Sequence, residues 1–199
     1  PILLSYQMFG AEKILLRARK ADSVQFLFYQ ALYEFHSQKI DEAYERFVSA
    51  WSMLNEKDFV HRKRIAGYLI ALAAVRGKAA TDAFLRQYEL FEAFGPLCRA
   101  LHHGNLAAFN EAIKSAAPQL IRLNVYVFLM LNTEPAVHLN AVKRTWKLAG
   151  RGKILSFAQI LKLHEMLGNA DLDADELECI LISLIGRVCF LNFLKRFTF

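Results

Sequence analysis

Apolar residues recur at helical spacing through most of this chain, and short polar stretches cut the pattern into blocks. Residues 1 to 20 are apolar with Lys13, Arg17, Arg19 and Lys20 interleaved, which predicts a first helix. Val24 to Phe35 predicts an aromatic-rich helix and Ser37-Gln38-Lys39 a turn. Ile40 to Leu54 predicts a second helix with Ala43, Phe47, Ala50, Trp51 and Leu54 on one face. The unit recurs as Ile65 to Val75 with Ala79 to Tyr88, then as Phe94 to Leu101 with Leu106 to Ala116 across a His103-Gly104-Asn105 turn. Leu120 to Leu131 is nearly all apolar and predicts one buried connecting helix, broken by Asn132-Thr133-Glu134-Pro135.

Three helical hairpins of this size cannot bury their faces alone, so they predict a stacked α-solenoid of degenerate tetratricopeptide-like repeats. Beyond it, His138 to Leu148 reads as a helix, Lys153 to Leu155 as a short strand and Phe157 to Leu167 as a second helix. After a polar turn at Gly168 to Asp173, the best-defined helix runs from Ala174 to Gly186. Leu177, Ile180, Leu181, Leu184 and Ile185 fall on one stripe, Asp173 stands at the N-cap, and Glu176 is placed to close a capping box. Val188 to Leu194, the pair Lys195-Arg196 and Phe197-Thr198-Phe199 then read as strand, turn and strand. This order is that of a winged helix. The expected fold is therefore all-α, with helical repeats over residues 1–134 and a C-terminal winged helix over 135–199. Asp175, Glu176 and Glu178 would meet phosphates unfavourably, so the Ala174–Gly186 helix is assigned to packing and not to reading bases.

Composition narrows the function classes. A hydrophobic fraction of 55% and sixteen Phe supply a sizeable core, and four prolines and nine glycines leave little room for linkers. No apolar run reaches the roughly 18 residues of a membrane span, so no membrane insertion is expected. The chain opens at Pro1 without a methionine, so its start is expected to be processed or trimmed. Cys98, Cys179 and Cys189 are odd in number and unpaired in spacing, which predicts buried reduced thiols in an intracellular protein. The formal net charge of +6 favours an acidic partner.

Enzyme signals are poor. There is no P-loop, no G-x-G-x-x-G and no G-x-S-x-G. Adjacent His102 and His103 point to different sides of a helix and cannot share a metal from one face. Asp171-x-Asp173-x-Asp175 imitates a calcium loop, but Glu176 stands where Gly is needed and Ile182 where Glu is needed. No catalytic residue, cofactor or metal is assigned. Charge says more: no acidic residue lies between Glu134 and Glu165, while Lys143, Arg144, Lys147, Arg151, Lys153 and Lys162 do. Lys143, Arg144, Lys147 and Arg151 crowd one side of a helix and its exit, and Lys195 and Arg196 would sit at the wing tip. With Lys153, these form a candidate nucleic-acid face set against an ordinary solvated one. His61-Arg62-Lys63-Arg64 reads as a helix start with a solvated edge. Val188, Phe190, Phe193, Leu194, Phe197 and Phe199 are too apolar for a lone hairpin and are assigned to partner binding.

Helical repeats running into a C-terminal winged helix resemble the PCI domains of the proteasome lid, the signalosome and an initiation factor. Tyr88-x-Leu90 and Leu97-x-x-Ala100-Leu101-x-x-Gly104-Asn105-Leu106-x-x-Phe109-Asn110-Glu111-Ala112 are similar to the subgroup that includes an mRNA-export subunit at the nuclear pore and its signalosome-associated cousin. Asp171 to Leu181 with Leu184-Ile185 resembles the same subgroup's last helix. Asn192 stands where that family usually has Gly, and Phe197-Thr198-Phe199 is shorter than its second wing strand. The resemblance implies a nuclear, non-enzymatic scaffold subunit of an mRNA-export complex. Its partners would be a large helical scaffold protein, a small acidic disordered subunit and RNA or DNA without sequence preference, with Lys143, Arg144 and Lys147 as the matching basic positions. The alternatives are a scaffold subunit of a signalosome or proteasome-lid assembly, and a winged-helix transcription regulator.

Overall fold

Amphipathic stripes and local caps explain why the segments of this computed structural model, which describes residues 20–152, 155–167 and 173–186, become helices. The elements are α1 (Lys20–His36), α2 (Ile40–Met53), α3 (Phe59–Val75), α4 (Asp82–Gln87), α5 (Phe91–His103), α6 (Leu106–Ser115), α7 (Ala117–Arg122), α8 (Tyr126–Asn132), α9 (Glu134–Leu148), α10 (Phe157–Met166) and α11 (Ala174–Gly186). The chain divides into two compact units, Pro1–Leu69 and Ile70–Phe199.

In the first unit, α1 and α2 form an antiparallel hairpin whose turn closes through Lys39 N–H on the Glu34 carbonyl at 2.9 Å. An aromatic cluster fills the space between them and the start of α3. Phe47 and Tyr68 stack at 4.9 Å with ring planes 7° apart, and Phe35 meets Tyr68 edge-on at 5.2 Å. The basic run expected as a solvated helix start is used locally. Arg62 donates to the carbonyls of Leu54 and Asn55 and lies over the Trp51 ring, and Arg64 lies over Phe28.

In the second unit, α9 is the helix that most others pack against: α5, α6, α8, α10 and α11 all touch it. Ala136, Val137, Leu139, Ala141 and Val142 are buried along it. Its approach to α5 is unusually close. Gly104, the left-handed C-cap of α5 at φ 70°, leaves so little room that a Cβ there would stand 2.3 Å from the Ala141 backbone nitrogen. Leu139 and Val142 of α9, Ile160 of α10 and Leu177 and Leu184 of α11 form the terminal core. Asp173 caps α11 as its sequence suggests, accepting from Glu176 N–H at 2.7 Å. Ser156 and Gln159 close a capping box on α10.

Two expectations need correction. Among the described residues there is no β-strand, and this overturns the winged-helix part of the fold. The apolar residues of the terminal segment satisfy one another helix against helix, and Leu155, expected in a strand, packs against that helical core. Lys153, Ile154, the 168–172 turn and residues 188–199, with their expected strands, lie outside the described residues, as does the helix expected over residues 1–19. The single helix expected over 120–131 is two short ones, α7 and α8. Asn124 takes φ 56° between them, and Val125 N–H reaches back to the Leu120 carbonyl at 3.1 Å. Asn tolerates this left-handed conformation, and a nearly all-apolar stretch on either side hides the break.

Gly104→Ala forces backbone atoms of α9 to move. It is expected to destabilise by about 2 kcal/mol or more, lowering the thermal midpoint by about 4–8 °C in a differential scanning measurement.

Candidate functional site

The acid-free stretch folds into α9 and its exit, and the structure separates the cations that the sequence groups together. Arg144 is half-buried, and its Nη1 donates to the His103 carbonyl at 3.2 Å. One turn earlier, Asn140 Nδ2 donates to the carbonyls of Leu101 at 2.9 Å and Gly77 at 3.1 Å. Leu101 and His103 lie in the last turn of α5, where carbonyls run short of helical donors; the Leu101 carbonyl also accepts from the Gly104 N–H of the C-cap at 3.2 Å. Asn140 and Arg144 therefore act as a side-chain cap supplied by a neighbouring helix. The guanidinium also stands at the negative end of the α5 dipole.

Lys143 is half-buried, whereas Lys147 and Arg151 are exposed. Beyond α9 the chain folds back: Arg151, at φ 59°, donates its N–H to the Trp146 carbonyl at 3.0 Å, and Trp146 Nε1 donates to the Gly152 carbonyl at 3.0 Å. Lys153, Lys195 and Arg196 lie outside the described residues. The described basic face thus consists of two exposed cations, one half-buried lysine and one arginine engaged in capping.

The six apolar residues assigned to partner binding, Val188, Phe190, Phe193, Leu194, Phe197 and Phe199, also lie outside the described residues. Another apolar surface is present. Val127, Met130 and Leu131 stand at i, i+3 and i+4 on α8 and are 64%, 52% and 72% exposed, with Ile121 of α7 at 57%. The break at Asn124 turns these side chains outward while Leu120, Val125, Phe128 and Leu129 take the core. A contiguous exposed apolar row of this kind is a usual mark of a docking surface.

Among the described residues no group of three or more His, Cys, Asp or Glu could hold a metal ion. No described helix is long and apolar enough to cross a membrane. Cys98 is buried, and burial pushes its thiol up from the ordinary range; Cys179 is exposed, contrary to the expectation of burial. Sequence reading passed over Asn140 and a buried histidine pair, His138 and His164. The available signal was position: each histidine falls at helical spacing with apolar core residues of its own helix, His138 with Val142 and His164 with Ile160.

No protein-family model matches the sequence. Individual relatives do. A PCI domain-containing protein of Schizosaccharomyces pombe is 26% identical over 179 residues, covering 86% of this chain and 40% of that protein. A protein named as a CSN12 homolog, from Gibberella zeae, is 23% identical over 191 residues, covering 89% of this chain and 42% of that protein. PCI domain-containing protein 2 of Danio rerio is 29% identical over 125 residues, 63% of this chain and 31% of that protein. The chain is thus similar over most of its length to a PCI domain-containing protein and to a CSN12 homolog.

It spans about two fifths of the length of the first two of these relatives. The PCI-like words in the sequence are structural ones. Tyr88, Leu90, Leu97, Ala100, Leu101, Phe109 and Ala112 are buried, and Gly104 ends α5. Asn105 caps α6 by accepting from Ala108 N–H at 2.9 Å. What the PCI resemblance carries is the α5–turn–α6 hairpin on which α9 sits.

Arg144→Ala removes a charged donor from a helix end and is expected to destabilise by about 1–2 kcal/mol. Lys147→Ala, one turn on and exposed, is expected to stay within about 0.5 kcal/mol of the parent. Urea unfolding of the two variants side by side checks the contrast.

Proposed function

We propose that this chain is a non-enzymatic scaffold module that holds protein partners within a multisubunit assembly of the signalosome type. The observation that carries the reading is the likeness over most of the chain to two relatives, one named as a PCI domain-containing protein and one as a CSN12 homolog. Two features of the structure support it. The exposed α7–α8 stripe offers a protein-binding surface. The cation best placed at the centre of the basic stretch, Arg144, serves the fold.

A second reading keeps the mRNA-export role at the nuclear pore, with a large helical scaffold, a small acidic subunit and nucleic acid as partners. Support for it comes from the acid-free stretch, in which Lys147 and Arg151 remain exposed. Two exposed cations make a modest phosphate-binding face. On single strands they correspond to a log–log salt slope of about −1.4, the value for two neutralised phosphates.

Affinity capture of the protein from cells, with quantitative mass spectrometry, separates the readings. The proposed function predicts recovery of other PCI-containing scaffold subunits in stoichiometric amounts. It also predicts that a Lys147→Glu, Arg151→Glu double variant retains them. Recovery of export factors, together with RNA binding at low salt that the double variant loses, would replace it with the second reading.

A further inference from the structure

A polar row is buried where the terminal helices otherwise meet through apolar side chains. His138 of α9 is 4% exposed and His164 of α10 is fully buried. His138 Nδ1 lies 3.3 Å from His164 Nε2, and His164 Nδ1 lies 3.0 Å from the carbonyl oxygen of Ile160 on its own helix. The ring planes differ by 18° with centroids 5.5 Å apart, a nearly coplanar arrangement in which the rings meet end to end. At the far end, His138 Nε2 is buried without a hydrogen-bond partner. Glu134 Oε1 stands 3.7 Å from it, on a side chain 61% exposed.

Counting protons along the row assigns both rings. A carbonyl only accepts, so His164 Nδ1 carries a hydrogen, and in the neutral ring its Nε2 is a lone pair. His138 Nδ1 must then donate to that lone pair. Neutral His138 therefore turns a bare Nε2 lone pair toward a carboxylate that also only accepts. The row is one proton short, and the deficit falls at a buried atom.

We propose that Glu134, His138 and His164 form a proton-operated latch on the seam between α9 and α10, loaded by one proton at His138 Nε2. In the neutral form Glu134 stays in solvent and the seam carries no charge. In the protonated form His138 Nε2–H donates to Glu134, whose Oε1 already stands 3.7 Å away, and a positive ring is left between two helices. The seam is weaker in that form, because the carboxylate offsets only part of the burial of charge.

The titratable groups acting on His138, among the described residues, are His164 of α10 and Glu134 of its own helix. No group on α5, α6, α8 or α11, which also pack against α9, acts on it. Burial, and then His164, hold His138 below the ordinary imidazole value of 6.5, with the Glu134 charge opposing them. The sign follows: as pH falls below about 6.5 the unfolded ring takes its proton first. The stability contributed by the neutral row is complete above that pH and is lost as pH falls toward the folded value.

Nitrogen-15 NMR of the imidazoles in the whole chain tests the latch. At pH 7.5 both rings are expected as Nδ1–H tautomers, and on acidification His138 Nε2 gains its proton below the ordinary imidazole value of 6.5. Glu134→Gln alters a surface side chain, so the variant folds. Removing the opposing charge is expected to lower the His138 titration by about half a pH unit or more and to deepen the fall in melting temperature between pH 7.5 and 5.5. An Nε2–H tautomer of His138 at pH 7.5, a His138 titration at or above the ordinary imidazole value of 6.5, or a Glu134→Gln titration identical to the parent would each overturn the proposal.

Discussion

The second unit depends on how closely α9 can lie against the end of α5. Gly104 has no Cβ, and in its place stands the backbone at Ala141. That approach puts Asn140 and Arg144 within reach of the α5 carbonyls, and it brings the Asn140 amide to Gly77, a second left-handed glycine at φ 72°. Steric room and hydrogen bonding are therefore one constraint: a side chain at position 104 would push away the donors that cap the helix it ends. The terminal core of α9, α10 and α11 is built outward from the opposite side of the same helix.

This arrangement changes the meaning of a charge. In the sequence, Lys143, Arg144, Lys147 and Arg151 form one group, because the only visible partners for a cation are acidic residue types. Arg144 in fact meets the carbonyl of His103, and any residue could supply that oxygen. Backbone acceptors carry no letter in a sequence, so a basic stretch without acids reads as a surface even when part of it is committed to a helix end.

The same distinction separates what was legible from what was not. Helices with alternating stripes and chemical caps were readable, down to Asp173 on α11 and the Gly104-Asn105 turn, because periodicity and capping are local. The break at Asn124 was not, since the run around it is nearly all apolar and the left-handed residue is the main signal. The winged helix was inferred from the order of segments, and the described order proves to be helices packed on helices. The His138–His164 row was invisible for another reason: it joins residues 26 apart on two helices, and each ring alone is an ordinary core position.

The shared cap also couples motions. Amides in the last turn of α5 and in the middle of α9 cannot become accessible to solvent independently, because lifting α9 strips the Leu101, His103 and Gly77 carbonyls of the donors on Asn140 and Arg144 in one event. The two helices then form a single cooperative opening unit. In deuterium exchange their slowest amides are expected to share one rate, although the chain travels some thirty residues between them.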